Sequence, residues 1–181
     1  MSLKPTKLLF LDFDGVINSH EFMQSNRCGE EVGGVVGIDP EAVERVNRII
    51  KETGAEVVVS STWRIRRTRT QLCDILVAHG FKGIVRGMTP HIPATKSGVE
   101  NGTRGLEIQA WIDTAPNYGI TVKAFVILDD DSDMNHLMDR LIKTSMASGL
   151  LDEHVERAIE MLNASPSLLV IPTAEQVNRL R

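Results

Sequence analysis

Two aspartates two residues apart, Asp12 and Asp14, follow a short apolar run near the start of the chain. The run over 8–11 is uniformly apolar, and Gly15 comes directly after the second acid, a pattern typical of a buried strand in a parallel sheet. Open α/β sheets bind ligands beyond the carboxyl ends of their strands. Two like charges placed there repel each other unless a cation or a shared proton compensates. An isolated pair of this kind usually marks a turn, so the interpretation depends on the other strands.

Two further apolar runs end in polar residues of the same kind. Ser60 and Ser61 follow the apolar run 57–59, and Asp129 and Asp130 follow the apolar run 124–128. The carboxyl ends of parallel strands lie on one edge of a sheet, so we expect all these side chains to gather there. Several acids together favour a hard cation with oxygen ligands, for which Mg²⁺ fits best. A carboxylate beside the metal can attack phosphorus, and a second can protonate the leaving oxygen and then activate water.

The segments between these runs predict the elements that position the acids. A helix is expected over 40–53, because Asp39 and Pro40 are typical of a helix start and Gly54 of a helix stop. Strand, helix and strand in this order form a right-handed parallel unit. We therefore predict an α/β, doubly wound three-layer sandwich with a central parallel sheet and a small cap or none. A flap over 16–38, a short insert over 86–104, an edge strand over 168–171 and a final helix from 173 complete the prediction.

Composition places few limits beyond these. The 181 residues predict one domain over 1–181, and a net charge of −4 argues against a surface that coats nucleic acid generally. Cys28 and Cys73 lie in no metal or redox spacing, which favours reduced thiols in a cytoplasmic protein. No secretory segment and no apolar run of about 18 residues is found, so no membrane contact is expected. No obligate protein partner is predicted.

The order of these motifs resembles that of the haloacid dehalogenase (HAD) superfamily in its phosphatase form. The first, second and fourth motifs of that superfamily are matched by 12–16 (Asp-Phe-Asp-Gly-Val), 57–60 (Val-Val-Val-Ser) and 126–130 (Val-Ile-Leu-Asp-Asp). A narrower resemblance is to the small HAD domains of "Swiss-army-knife" RNA repair proteins. It rests on 60–64 (Ser-Ser-Thr-Trp-Arg), 104–108 (Arg-Gly-Leu-Glu-Ile), 128–130 (Leu-Asp-Asp) and 149–150 (Gly-Leu).

The resemblance implies a role for each matched acid. Asp12 would be the nucleophile and a metal ligand, and Asp14 the general acid and base, with its backbone carbonyl on the metal. Ser60, with Ser61 beside it, would bind the transferring phosphoryl group. Asp130 would complete the magnesium site, with Asp129 beside it.

The basic residues are less settled. The third motif is a lone cation before the last of these strands, for which Arg104 is preferred and Lys96 is the rival. An arginine there would neutralise phosphate charge with a rigid fork of donors. Arg64, Arg66 and Arg67 form a basic cluster just before a predicted helix, where cations oppose the helix dipole. The cluster indicates contact with a polyanion or, equally well, a solvated loop. Asp131 and Asp133 are typical of a helix start.

Together these features predict magnesium-dependent hydrolysis of a phosphomonoester through an aspartyl-phosphate. The open site expected of a protein without a large cap favours a bulky phosphorylated substrate, such as a nucleic-acid end or a phosphoprotein, over a small sugar phosphate. A polynucleotide 3′-phosphatase of nucleic-acid repair is one alternative. A non-enzymatic phospho-acceptor module, resembling a response-regulator receiver, is another.

Overall fold

The computed structural model describes residues 3–29, 31–93 and 103–164 of the chain. Its centre is one sheet in which all the strand pairings are parallel, with the spatial order β3-β2-β1-β4-β5. The strands are β1 Lys4–Leu11, β2 Glu56–Val59, β3 Val85–Met88, β4 Ile120–Asp129 and β5 Leu141–Lys143. The prediction of an α/β protein with a central parallel sheet is therefore confirmed.

Helices cover both faces of the sheet. They are α1 His20–Met23, α2 Pro40–Thr53, α3 Arg69–Ala78, α4 Arg104–Thr114 and α5 Asp152–Asn163, with 3₁₀ turns at Thr62–Ile65, Ala115–Tyr118 and Asn135–Arg140. Alternate residues of β1 point to opposite faces. Leu9 and Leu11 pack in the core beneath α2, α3 and α5, whereas Leu8 and Phe10 pack beneath α4. Because both faces are covered, β1 is apolar at every position from Leu8 to Leu11.

The strand order places the switch in winding direction beside β1. The chain passes from β1 through β2 to β3 on one side and then returns to β4 on the other side of β1. A crevice at such a switch point is where ligands bind in open α/β sheets. The carboxyl end of β1, which leads into Asp12, lies at this point.

The segment predicted as a flap, 16–38, is anchored at its start. Val16 and Ile17 are fully buried in the core. The N–H of His20 donates to the carbonyl of Met146, and Ser19 caps α1. The described residues from 23 to 36 are exposed or half-exposed. The flap stays a prediction, and it cannot include the first of these residues, because they complete the apolar core.

The boundary predicted for the insert over 86–104 is wrong at its start. Residues 86–88 belong to β3, in which Gly87 and Met88 pair with β2. Arg104, at the other end, already begins α4. Residues 94–102, including Lys96, lie outside the described residues, as do the predicted edge strand over 168–171 and the helix from 173. Among the helices of the described ranges, none is long and apolar enough to cross a membrane.

Candidate active site

Three strand ends meet at the carboxyl edge of the sheet. The N–H of Ser60 donates to the carbonyl of Leu11 at 2.9 Å, and the N–H of Asp12 donates to the carbonyl of Leu128 at 3.0 Å. These bonds continue the sheet pairing one residue past β1 and β2. They hold Ser60, Asp12 and the last residue of β4, Asp129, side by side.

Three carboxylates converge at this edge. Asp12, Asp129 and Asp130 each offer one oxygen, and these three oxygens all lie within 4.8 Å of one another. Asp12 and Asp129 are buried, while Asp130 is half-exposed. Burial, more than any neighbouring charge, raises the pKa of all three carboxyl groups, that of Asp129 to about 7.

This donor set fits Mg²⁺. Oδ2 of Asp129 is buried without a hydrogen-bond partner, and a buried polar atom of this kind normally has one. Mg²⁺ prefers oxygen ligands at about 2.0–2.1 Å and commonly takes only one or two carboxylates, with water and phosphate filling the rest of its shell. Asp12, Asp129 and Asp130 could therefore hold the ion, and its positive charge would compensate the negative charge of the buried carboxylates.

Arg104 brings a cation to the same site. Its guanidinium donates to the carbonyl of Ser60. Its Nη2 lies 3.6 Å from Oδ2 of Asp12, and its Nε lies 3.7 Å from Oδ2 of Asp129. At these distances it offsets part of the acidic charge and stays close to the nucleophile candidate. The choice between Arg104 and Lys96 as the third-motif residue stays a prediction.

Asp133 fixes the start of α4 and thereby Arg104. Its carboxylate accepts from the N–H of Arg104 at 3.2 Å, and its carbonyl accepts from the N–H of Gly105 at 3.1 Å. The sequence indicated that Asp133 lies at a helix start. In the structure its carboxylate binds the first N–H of α4, whereas the segment that follows Asp133 forms the 3₁₀ turn Asn135–Arg140. Gly105 has no side chain here because a Cβ would lie 2.2 Å from the carbonyl oxygen of Met134.

Asp14 stands apart from the three-carboxylate group and is held by two neutral donors. Nε1 of Trp63 donates to its Oδ2 at 3.0 Å, and Nδ2 of Asn18 donates to its Oδ1 at 2.8 Å. Gly15 turns the chain with a φ of +69°, and a Cβ there would meet the Asp130 carboxyl carbon at 2.5 Å. A glycine is required because both the left-handed backbone and the contact exclude a side chain.

The two serines after β2 are fully buried. Oγ of Ser60 has no hydrogen-bond partner, which leaves it available to a phosphate oxygen. The Ser61 side chain opposes the rise in the pKa of the Asp12 carboxyl group, and its hydroxyl oxygen accepts from the N–H of Trp63 at 3.3 Å. The N–H of Phe13 donates to Asp12 at 2.7 Å.

The arginine cluster divides into one buried residue and two outer ones. Arg64 is only 7% exposed and donates to the carbonyls of Ser60, Ser61, Thr89 and Pro90 and to the Glu107 carboxylate. The prediction that Arg64 contacts a polyanion does not fit this placement, because its donors are used inside the protein. Arg66 is exposed, and Arg67 is half-exposed, 4.8 Å above the Trp63 ring. Among the described residues neither forms an ion pair.

Some residues that support the site were not predicted. Asn18 was assigned to a flap, and nothing in its spacing from Asp14 sets it apart. The Thr144 hydroxyl, after β5, donates to the carbonyl of Gly15 at 2.7 Å. Glu107 could have been found, because it lies one turn after Arg104 on α4, next to the buried Ile108.

The fold and the site define an HAD-type α/β protein, with acids after β1 and β4, a serine after β2 and a cation at the start of α4. The sequence model of the family described as "HAD domain in Swiss Army Knife RNA repair proteins" matches residues 8–155. The chain belongs to this family. No curated protein matches the chain.

Proposed function

We propose that the chain is a magnesium-dependent phosphomonoester hydrolase that acts through an aspartyl-phosphate on Asp12. The observation that supports this most is the position of the Asp12 carboxylate. One of its oxygens lies within 4.8 Å of carboxylate oxygens of Asp129 and Asp130, and its Oδ2 lies 3.6 Å from Nη2 of Arg104. The proposed nucleophile, the acids that would hold the metal and the guanidinium that would bind phosphate therefore lie within a few ångströms of one another.

Mg²⁺ would be held by Asp12, Asp129 and Asp130, and the family resemblance adds the backbone carbonyl of Asp14. When bound, the ion neutralises charge on the phosphate and on the acids around it. Arg104 and the unpartnered hydroxyl of Ser60 would bind the remaining phosphate oxygens. The phosphoryl group is thereby oriented toward Asp12 before any bond changes.

The reaction then proceeds in two steps. A carboxylate oxygen of Asp12 forms a bond to phosphorus while the ester P–O bond breaks, and Asp14 gives its proton to the leaving oxygen. In the second step Asp14 takes a proton from water as the water oxygen attacks phosphorus. The bond to Asp12 breaks, and phosphate leaves with Asp12 restored as a carboxylate.

Hydrolysis of 4-nitrophenyl phosphate in the presence and absence of Mg²⁺ tests this proposal. Asp12→Asn should abolish turnover, because the amide is not a nucleophile. Asp74→Asn, on the exposed surface of α3, is the matched control and should keep the activity of the native protein. Equal rates for the native protein and Asp12→Asn would refute the mechanism. A phosphorylated protein that persists for hours rather than seconds would favour a phospho-acceptor module instead.

A second candidate function is removal of a 3′-phosphate from a polynucleotide. Two observations favour it: the outer arginines Arg66 and Arg67 form no ion pair with any described residue, and the family is described by its occurrence in RNA repair proteins. Cations placed in this way contact the phosphate backbone of a nucleic acid and make binding dependent on salt.

Comparing a 3′-phosphorylated oligonucleotide with a 3′-mononucleotide tests this function. The oligonucleotide should have the lower KM, and Arg66→Ala with Arg67→Ala should raise that KM with little effect on the mononucleotide. Arg157→Ala, an exposed arginine on α5, is the control. No preference for the oligonucleotide would rule this candidate out while leaving the general phosphatase intact.

A further inference from the structure

Trp63, which precedes the basic cluster, makes a contact that the sequence did not predict. Its indole N–H donates to Oδ2 of Asp14 at 3.0 Å, across 49 residues of sequence. Asp14 is the residue to which the proposed function assigns proton transfer. A hydrogen bond to a carboxylate is stronger and more directional than one between neutral groups, so it can fix the orientation of this side chain.

The indole is itself held on several sides. The ring packs edge-on against the fully buried Phe13, with centroids 5.3 Å apart and planes at 60°. The Arg67 guanidinium lies over the ring at 4.8 Å from its centroid. The backbone N–H of Trp63 is bound by Oγ of Ser61. A donor fixed in this way loses little conformational entropy when it binds the carboxylate, which is what a preorganised site requires.

The geometry leaves Asp14 able to react. An ionised carboxylate has about four acceptor positions, and the described donors, Trp63 on Oδ2 and Asn18 on Oδ1, use two of them. One lone pair on each oxygen remains for a proton or for the leaving oxygen. Without the Trp63 bond, Asn18 alone would hold Asp14, and the carboxylate could rotate about its bond to Cβ.

We propose that Trp63 is a positioning residue that orients Asp14 for proton transfer through its indole N–H. This inference rests on the proposed phosphatase function. In the first step the proton on Asp14 moves to the ester oxygen as the P–O bond breaks. In the second step a proton of water moves to Asp14 as the new O–P bond forms. Trp63 keeps its own proton throughout and contacts neither the phosphate nor the reacting water.

Two variants remove the N–H while keeping an aromatic ring. Trp63→Phe retains a ring between Phe13 and Arg67 but has no donor. Replacement of Trp63 by its benzothienyl analogue keeps the whole bicycle and substitutes sulfur for N–H, so it guards against a folding effect. Trp111→Phe is the control, because Trp111 lies on α4 and packs edge-on against Phe10 in the other core cluster.

The measurement is kcat/KM for two phosphate esters that differ in their need for a general acid. An alkyl phosphate has a poor leaving group and depends on protonation, whereas 4-nitrophenyl phosphate does not. Both Trp63 variants should lower kcat/KM for the alkyl ester by about tenfold or more, a part of the about 10²–10⁴ that general acid–base catalysis contributes. The 4-nitrophenyl ester should change by less than about threefold, and so should both esters in Trp111→Phe.

The outcomes separate this inference from the function on which it rests. A native protein that hydrolyses neither ester overturns the proposed function and this inference with it. An active native protein whose Trp63 variants lose both esters equally shows a merely structural role and overturns the inference alone. The same holds if the benzothienyl variant matches the native protein on the alkyl ester. A selective loss on the alkyl ester in both variants supports it.

Discussion

Asp129 is an acid with no exposed surface, and one of its oxygens has no hydrogen-bond partner. Burial is the main cause that raises the pKa of its carboxyl group to about 7, and the neighbouring Asp12 carboxylate adds to the rise. Arg104 and the N–H of Asp131 oppose it. In the absence of a divalent cation the folded protein therefore keeps a proton on Asp129 up to about pH 7, whereas the unfolded chain releases it near pH 3.8.

This difference predicts the sign of a pH effect on stability. A carboxyl group with a raised pKa in the folded state stabilises the protein at low pH, and that stabilisation is lost as the pH rises through about 7. We expect the metal-free protein to lose stability from pH 5.5 to 7.5 relative to Asp129→Asn, which cannot titrate. Denaturant unfolding in EDTA measures this.

The comparison with the variant is necessary because other groups titrate in the same range. Burial lowers the pKa of His136 and of His154, which makes stability rise with pH and is common to both proteins. Parallel curves for the native protein and Asp129→Asn would contradict the prediction.

Gly15 shows how one backbone conformation holds the site together. Gly15→Ala should destabilise the protein by more than the about 1–2 kcal/mol that a left-handed residue with a Cβ costs, because the new atom meets Asp130. It should also weaken Mg²⁺ binding. Gly54→Ala is a matched control, since the φ of Gly54, +71°, is nearly that of Gly15 but nothing lies within 4 Å of a Cβ added there. Unfolding and calorimetric Mg²⁺ titration of both variants measure the two effects. Equal losses in both would show that the Asp130 contact has no effect.

At the scale of elements, Arg64 joins β2, β3 and α4. Its guanidinium binds carbonyls that follow β2 and β3, and it pairs with Glu107 on α4. Both side chains are only 4% exposed. Because α4 also begins with Arg104, this pair fixes the distance between the third-motif candidate and the end of β2.

Arg64→Met should therefore be among the most damaging single changes outside the apolar core. Removing one partner of a buried pair leaves an uncompensated charge and costs about 3–5 kcal/mol. Arg48→Met is the control: Arg48 pairs with the carboxylates of Glu52 and Glu156 at the surface, where solvent screens the charges and little loss of stability is expected. Urea unfolding compares the two variants. A similar loss in both would contradict the prediction.

Sequence patterns predicted the elements that are determined by neighbouring residues in the sequence. Apolar runs before Asp12, Ser60 and Asp129 mark buried strands, and parallel pairing then requires their ends to meet. Burial of Arg64 could not be predicted, because its partner Glu107 lies 43 residues away. The predicted insert was started at 86, inside β3, because Arg86 and Gly87 interrupt the apolar pattern of this edge strand.

At the scale of the whole molecule, the acids belong to both halves of the fold. Asp12 follows β1, Asp129 is the last residue of β4 and Asp130 follows it. The two strands are joined over eight paired residues. An ion bound there contacts segments that are more than 100 residues apart in sequence. Since such a site does not exist in the unfolded chain, binding energy adds to folding stability.

Mg²⁺ should therefore raise the melting temperature, and its removal should lower it. At a free concentration of about 100 times Kd the gain is about 2.7 kcal/mol, which corresponds to about 5–11 °C for a domain of this size. Asp130→Asn should lose most of the shift and still fold, because Asp130 is half-exposed. Asp74→Asn should keep it. Thermal unfolding by circular dichroism in EDTA and in increasing Mg²⁺ measures the effect. A melting temperature that does not respond to Mg²⁺ in the native protein would mean that the convergence of these acids has another cause.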